Sequence, residues 1–382
     1  MTASLARLEG ILALEPRVAQ AAVRQRFEAA FQGRGAKVVL FGASWLGRAA
    51  LHGLRCAGLE PLAFADNDPV LQGQVRDGLP VLAPAQAMAR HGASAVFIVT
   101  VFTNGPVLRQ LEALGACHLP LSVVAWQFPE LSRWWWPEFF PEGAGPYAPR
   151  IREAFGLLAD EASREEFLGQ LAWRSTLDRA FLPHHLPPED TYFPPDLMPL
   201  GRDEVFVDCG ACDGDTLRAF LRHQPAGPAL FVGIEPDAGN RARLEAGLRD
   251  RPGGSCRIVP AVLGAQAGEI RFAQGGAMTS RAHEEGVLLP VLTLDGILED
   301  LTPTLIKMDL EGAEGAALEG ARATLQRCQP RLAIAAYHRA ADLWELPLRL
   351  RELSGAYRTF LRRHADECWE TVLYAKAGGP HE

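Results

Sequence analysis

The sequence contains no apolar run approaching the ~20 residues that cross a bilayer as a helix, so nothing in it suggests a membrane span. It also lacks surplus positive charge: 38 lysines and arginines stand against 46 aspartates and glutamates, a net charge of −8. A general nucleic-acid binder needs a basic stripe, and that class is set aside. The seven cysteines, at 56, 117, 209, 212, 256, 328 and 368, are odd in number and scattered. They exclude a disulfide framework and suggest reduced thiols. Residues Met1 to Glu9 lack the basic stretch and apolar core of a secretion signal, so a cytoplasmic protein is expected. No repeat of solenoid type is visible.

What is present is a chain of 382 residues, 48% hydrophobic and 22% charged, long enough for two domains with cores of their own. Residues 1–34 carry a helical stripe of Leu5, Leu8, Ile11 and Leu12. From 35 to 125, strands at Lys37–Phe41, Pro61–Ala65 and Val96–Thr100 alternate with helices at Leu46–Cys56 and Val107–Leu114. Such alternation predicts a parallel, Rossmann-like sheet. Residues 126–200 form a bridge: a Trp134-Trp135-Trp136 cluster suited to packing between domains, a helical stretch over Ile151–Ala180, and a proline-rich linker over Leu182–Pro199 that can also cover the next domain. Over 201–382 the alternation restarts. Strands are expected at Val205–Val207, Leu230–Glu235, Cys256–Ala261, Leu305–Asp309 and Leu332–Ala336, with a terminal hairpin over Tyr357–Leu361 and Trp369–Tyr374. The fold class is therefore α/β, with two Rossmann-like, doubly wound domains.

The second domain has the marks of a nucleoside crevice. Asp208-Cys209-Gly210-Ala211-Cys212-Asp213-Gly214-Asp215-Thr216 is a glycine turn after the first strand, where backbone can approach a ligand. Glu235 ends the second strand where an acid accepts from ribose hydroxyls, and Pro236 stops that strand. Ala261 and Val262 would offer backbone to a base. Cys209 and Cys212 have C-x-x-C spacing, but no second pair completes a zinc site, and the turn itself accounts for the spacing. Asp309 ends the fourth strand and His338 follows the fifth, so both should face the ligand edge. His338 has the ordinary pKa of a base near neutrality. Glu311 and Glu314 open the next helix, where acids are favoured; Glu311 is also a candidate to orient an acceptor. Lys307, inside an apolar strand, needs a carboxylate partner, with Glu235 or Asp309 the candidates. A metal on Asp309, Glu311 and His338 is chemically feasible but ranks low, and none is expected. The polar segment Gly275–Gly286 reads as a loop able to close over an acceptor.

Phe206–Thr216 resembles the first motif of the FkbM family of methyltransferases. Leu305-Ile306-Lys307-Met308-Asp309-Leu310-Glu311-Gly312-Ala313-Glu314, with Leu318-Glu319-Gly320-Ala321 behind it, is similar to that family's second signature, and Tyr337-His338-Arg339 to its Tyr-His segment. The resemblance covers about 200–376. It implies a class I methyltransferase fold, S-adenosylmethionine as methyl donor, and a hydroxyl oxygen of a sugar or secondary metabolite as acceptor. It matches Asp208 and Glu235 to the cofactor-binding acids. Asp309, Glu311 and His338 are the candidate catalytic residues. Gly210, Ala211, Asp213, Asp215, Thr216, Glu235, Pro236, Ala261, Val262 and Asp309 join Asp208 as the candidate cofactor contacts. N- or C-methylation and a non-catalytic binding role stay open.

In the first domain, Gly42-Ala43-Ser44-Trp45-Leu46-Gly47 departs from G-x-G-x-x-G at Ser44, which disfavours a dinucleotide. With Asp66 ending the next strand, a nucleotide or nucleotide-linked sugar is one expectation; a plain scaffold or a homodimer surface is the other.

Overall fold

A computed structural model describes residues 3–128, 130–131, 143–249, 254–272 and 286–378. The Trp134–Trp136 cluster and most of the 275–286 segment lie outside the described residues. The chain divides into two compact units. The first comprises 1–146 and 169–182, the second 147–168 and 183–382. The N-terminal 34 residues thus belong to the same unit as the first sheet, and the expected bridge is split between units.

In the first unit, six strands build one sheet: β1 (Val38–Phe41), β2 (Ala63–Ala65), β3 (Val75–Arg76), β4 (Leu79–Leu82), β5 (Val96–Val99) and β6 (His118–Pro120). Their order is β3-β4-β2-β1-β5-β6, with all neighbours parallel except β3 and β4. Strands β1, β2 and β5 are buried throughout, as expected for parallel strands covered on both faces. The N-terminal stripe forms two helices, Ala3–Leu12 and Pro16–Phe31; Pro16 starts the second because its missing N–H costs nothing at a first turn.

In the second unit the main sheet contains β7 (Val205–Cys209), β8 (Leu230–Ile234), β9 (Ser255–Val259), β13 (Leu305–Met308), β14 (Arg331–Ala335), β15 (Tyr357–Arg363) and β16 (Thr371–Ala377). Between them in sequence, β10 (Val262–Leu263), β11 (Gly268–Phe272) and β12 (Val287–Leu292) form a separate three-stranded sheet. Sequence periodicity missed this small sheet, because β10 is only two residues, β11 mixes charged with apolar residues, and Pro290 interrupts β12. The main order is β15-β16-β14-β13-β7-β8-β9; only β16 is antiparallel to its neighbours. This is the class I methyltransferase arrangement. The order reverses at β7, which has β8 on one side and β13 on the other. Ligand crevices of open parallel sheets form at such reversals, at the strands' carboxyl ends.

The proline-rich stretch after 182 covers the second domain, as its reading as a covering linker allows. Tyr192, Phe193, Leu197 and Met198 are buried in the core cluster beneath β7. Phe193 meets Phe206 and Phe220 edge-on, with centroids 5.8 and 5.6 Å apart. The expected long helix over 151–180 is two helices, Ala148–Leu157 and Glu161–Thr176. Asp160 separates them by accepting from the Ser163 N–H at 2.8 Å, which caps the second.

Candidate active site

The turn after β7 is shaped by contact with its neighbours. Gly210 has φ +80, and a Cβ there would fall 2.0 Å from the Asp309 carbonyl oxygen. The N–H groups of Gly210 and Ala211 both donate to Ile234 O, at 3.0 and 3.1 Å. The Cys212 N–H donates to Glu235 Oε2 at 2.9 Å, binding the end of β8 to the turn. Glu235 Oε1 accepts from the Asp237 N–H at 2.8 Å. Each Glu235 oxygen has capacity for further donors. Asp213 is drawn outward by Arg218, with Oδ1 2.7 Å from Nη2. Asp215 is exposed, its Oδ1 accepting from the Thr216 N–H at 2.8 Å, and Thr216 is buried. Pro236 is half-buried, and Ala261 and Val262 follow the end of β9 at the same edge. Cys209 and Cys212 are unbridged thiols. Burial pushes the Cys212 thiol up to about 11, with Asp215 adding to it, so it is not a reactive thiolate.

Asp208 is fully buried and points at Lys307, whose Nζ lies 3.0 Å from Oδ1. Lys307 also donates to Gly210 O at 2.8 Å. Neither partner offered by the sequence, Glu235 or Asp309, makes that contact. In register β7 pairs Asp208 directly with Lys307 of β13, so cross-strand neighbours decide the pairing. Burial works against the Lys307 charge, but Asp208, followed by Asp309 and Asp215, more than offsets it and raises its pKa. The Asp208 carboxylate thus braces the turn from below, and the turn itself is left to face a ligand.

Asp309, Glu311 and His338 do come together. His338 Nε2 lies 3.3 Å from Asp309 Oδ1 and 3.8 Å from Glu311 Oε2. On its other side Nδ1 meets Glu314 Oε1 at 2.8 Å. Glu314 is completely buried, and the same oxygen accepts from the Leu310 N–H at 2.8 Å. It therefore fixes both the loop and the imidazole, beyond the helix-start role that its sequence position suggests. Burial disfavours the imidazolium, yet the Glu314 bond and charge, with Asp309 and Glu311, raise His338 to about 9. His338 keeps its proton through neutrality and is not the free base its ordinary pKa suggests. Burial would raise Asp309, but Lys307, His338, Tyr192 and Tyr337 hold it below its usual value. Tyr192 Oη donates to Asp309 Oδ2 at 2.8 Å, and Tyr337 Oη lies 3.5 Å from both oxygens. Asp309, Glu314 and His338 bring ligand-type atoms within 4.8 Å of one another, but a protonated His338 bonded to Glu314 makes this first a proton-sharing network.

The first unit's turn is closed on itself. Asp66 Oδ2 accepts from the Ala43 N–H at 2.7 Å and Oδ1 from the Asp68 N–H at 2.9 Å. A Cβ on Gly42 would meet Thr100 O at 2.7 Å, and one on Gly47 would meet Gly42 O at 1.8 Å. Packing thus accounts for both glycines.

Residues 208–368 match the family model of the methyltransferase FkbM domain. The chain carries an FkbM methyltransferase domain. A crystal structure of methyltransferase FkbM from Methylobacillus flagellatus KT is similar to the chain at 25% identity, covering 97% of this chain and 98% of that one, with a TM-score of 0.70. Precorrin-6y C5,15-methyltransferase from Geobacter metallireducens GS-15 aligns over 47% of this chain and 82% of its own at 13% identity, TM-score 0.30. Aeropyrum pernix fibrillarin, solved with natively bound S-adenosyl-L-methionine, aligns over 47% and 69% at 9% identity, TM-score 0.30. No curated protein matches the chain. Within the FkbM methyltransferase domain the sequence located Asp309, Glu311 and His338 but not the orienting role of Glu314, and ahead of the domain it did not mark Tyr192. The five-residue step from Asp309 to Glu314 was a usable signal for the role of Glu314; nothing local marked Tyr192.

Proposed function

We propose that the protein is an S-adenosylmethionine-dependent methyltransferase acting on a hydroxyl oxygen of a sugar or other small molecule. The observation that carries this reading is the surplus of negative charge at the sheet's reversal. Asp309, Glu311 and Glu314 surround one imidazole there, beside the Gly210 turn whose carbonyl is held by Lys307. A sulfonium donor is cationic, so an anionic crevice attracts it. That charge disappears on transfer, which weakens the hold on the spent donor.

The chain's own residues divide the work. Glu235 suits the ribose hydroxyls, since its carboxylate is already fixed to the turn by Cys212. The backbone of Gly210, Ala211 and Asp213, together with Asp215, Thr216, Pro236, Ala261 and Val262, suits the rest of the nucleoside and amino-acid parts. Asp309 stays ionised and faces the cationic donor, whose methyl group it helps to hold in line with the acceptor oxygen. His338 and Glu311 tune and orient Asp309. When bound, the donor supplies an activated methyl group, and alignment is the protein's main contribution. Calorimetric titration with S-adenosylmethionine tests the reading. Binding with micromolar affinity is expected; no heat at high micromolar ligand would sink it.

A further inference from the structure

Because β16 runs antiparallel to β14, its first residue lies at the carboxyl edge of the sheet, where the parallel strands end. The Ala336 N–H donates to Thr371 O at 2.8 Å, so Glu370 arrives next to Tyr337 and His338. Trp369 meets the Tyr337 ring edge-on, with centroids 5.9 Å apart. The turn that delivers Glu370 is held in an uncommon conformation. Glu370 has φ +52 and Glu367 φ +56, and the His364 N–H donates to Glu370 O at 3.0 Å. Non-glycine residues adopt this region at a cost, and such costs gather at functional sites.

Glu370 is half-buried, and among the described residues its carboxylate makes no hydrogen bond or ion pair. Its neighbours in the cluster do: Asp208 has Lys307, Asp309 has Tyr192, and Glu314 has His338 and the Leu310 N–H. Glu370 nonetheless lies within electrostatic reach of Asp309, Lys307, His338 and Asp215 from the facing strand ends, and of Tyr192 and Tyr337. A carboxylate left without a protein partner at this edge can meet a ligand.

We propose that Glu370 is a catalytic residue that takes the proton from the acceptor hydroxyl. The assignment rests on the methyltransferase reading above. The hydroxyl proton passes to the Glu370 carboxylate and the oxygen forms its bond to the methyl carbon. The carbon–sulfur bond breaks with its electron pair kept on sulfur. Burial first, and then the Asp309 charge, hold the Glu370 carboxyl at about 7, which suits a base working near neutrality. His338, already protonated, leaves that role open.

Two measurements test the assignment. The wild type and the Glu370→Gln variant are titrated with S-adenosylhomocysteine and with sinefungin, which has an amine where the methylsulfonium group would be. Equal affinity for the first ligand is expected, with a loss of about tenfold or more for sinefungin in the variant; Glu370→Asp should lose less. Sinefungin affinity unchanged in Glu370→Gln, with S-adenosylhomocysteine still bound, overturns the assignment. Loss of both ligands from both proteins overturns the methyltransferase reading, and the assignment with it. Separately, the carboxyl carbon resonance of Glu370, identified by its absence from the Gln variant, should titrate near neutrality. A midpoint in the ordinary glutamate range overturns the proposal without reference to any cofactor.

Discussion

A Cβ at position 210 has no place to go, because the Asp309 carbonyl occupies it. Gly210→Ala should therefore lower stability by about 1–3 kcal/mol through the positive φ alone, and the backbone shift needed to relieve the contact should abolish donor binding. Thermal melting and calorimetry read the two effects; unchanged values for both would reject this account of the turn. His338 makes a second claim at this scale. Its folded-state pKa is raised to about 9, so its contribution to stability is fully present below about 6.5 and is lost as pH rises through about 9. Glu314→Gln should move the imidazole titration, followed by proton NMR, down toward the ordinary histidine value. It should also reduce stability most at pH 6 and least above pH 9. A midpoint that stays near 9 in the variant would show that Glu314 is not the cause. Asp309, Glu311 and His338 could be placed from sequence because each sits one to four residues past a strong apolar strand. Tyr192 and Glu370 could not be connected to them, since the first contact spans 117 residues and the second depends on strand pairing; Glu314 was in sequence reach of Asp309, but its bond to His338 crosses from one strand end to the next.

At the scale of elements, the proline-rich segment shows how an irregular stretch contributes to a core. Prolines 183, 187, 188, 194, 195 and 199 do exclude regular helix and central strand, and only two short 3₁₀ turns occur between 179 and 190. Irregular backbone can still bury side chains when local bonds satisfy it. Here Phe193 N–H donates to Asp190 O at 2.9 Å and Met198 N–H to Pro194 O at 2.7 Å. Phe193→Ala should cost about 3–5 kcal/mol, the usual penalty for emptying an aromatic core position. Chemical denaturation measures it, and a change below about 0.5 kcal/mol would return the segment to linker status. The parallel strands themselves were legible, since runs such as Val96–Val99 are apolar on both faces. The strands β10, β11 and β12 were not, because β10 is only two residues, β11 carries Glu269 and Arg271, and Pro290 interrupts the apolar run of β12.

At the scale of the whole molecule, the chain enters the second unit earlier than the restart of strand–helix alternation implies. Residues 147–168 belong to it. The buried Arg363 donates to Glu166 Oε1 at 2.8 Å, and Ser163 Oγ accepts from the Leu361 N–H at 2.9 Å. A fragment over 201–382 leaves Arg363 buried without that carboxylate, a loss of about 3–5 kcal/mol, and also lacks Phe193. A fragment over 147–382 keeps both. The longer fragment should melt distinctly higher; equal melting temperatures would mean that the early helices contribute nothing to the second unit.

The antiparallel placement of β16 also bears on how such an enzyme can diversify. Apart from β15, every strand that runs parallel to β7 ends in a loop that leads into a crossover, so changing that loop risks moving a helix and the next strand with it. The turn over 364–370 leads only from one hairpin arm to the other. Its buried residues, His364, Asp366, Glu367 and Cys368, hold it in shape, so a change there moves Glu370 while the Gly210 turn and Glu235 keep their positions. Its location lets one side of the crevice be altered at a single turn, while the opposite side, where the donor would lie, is held constant.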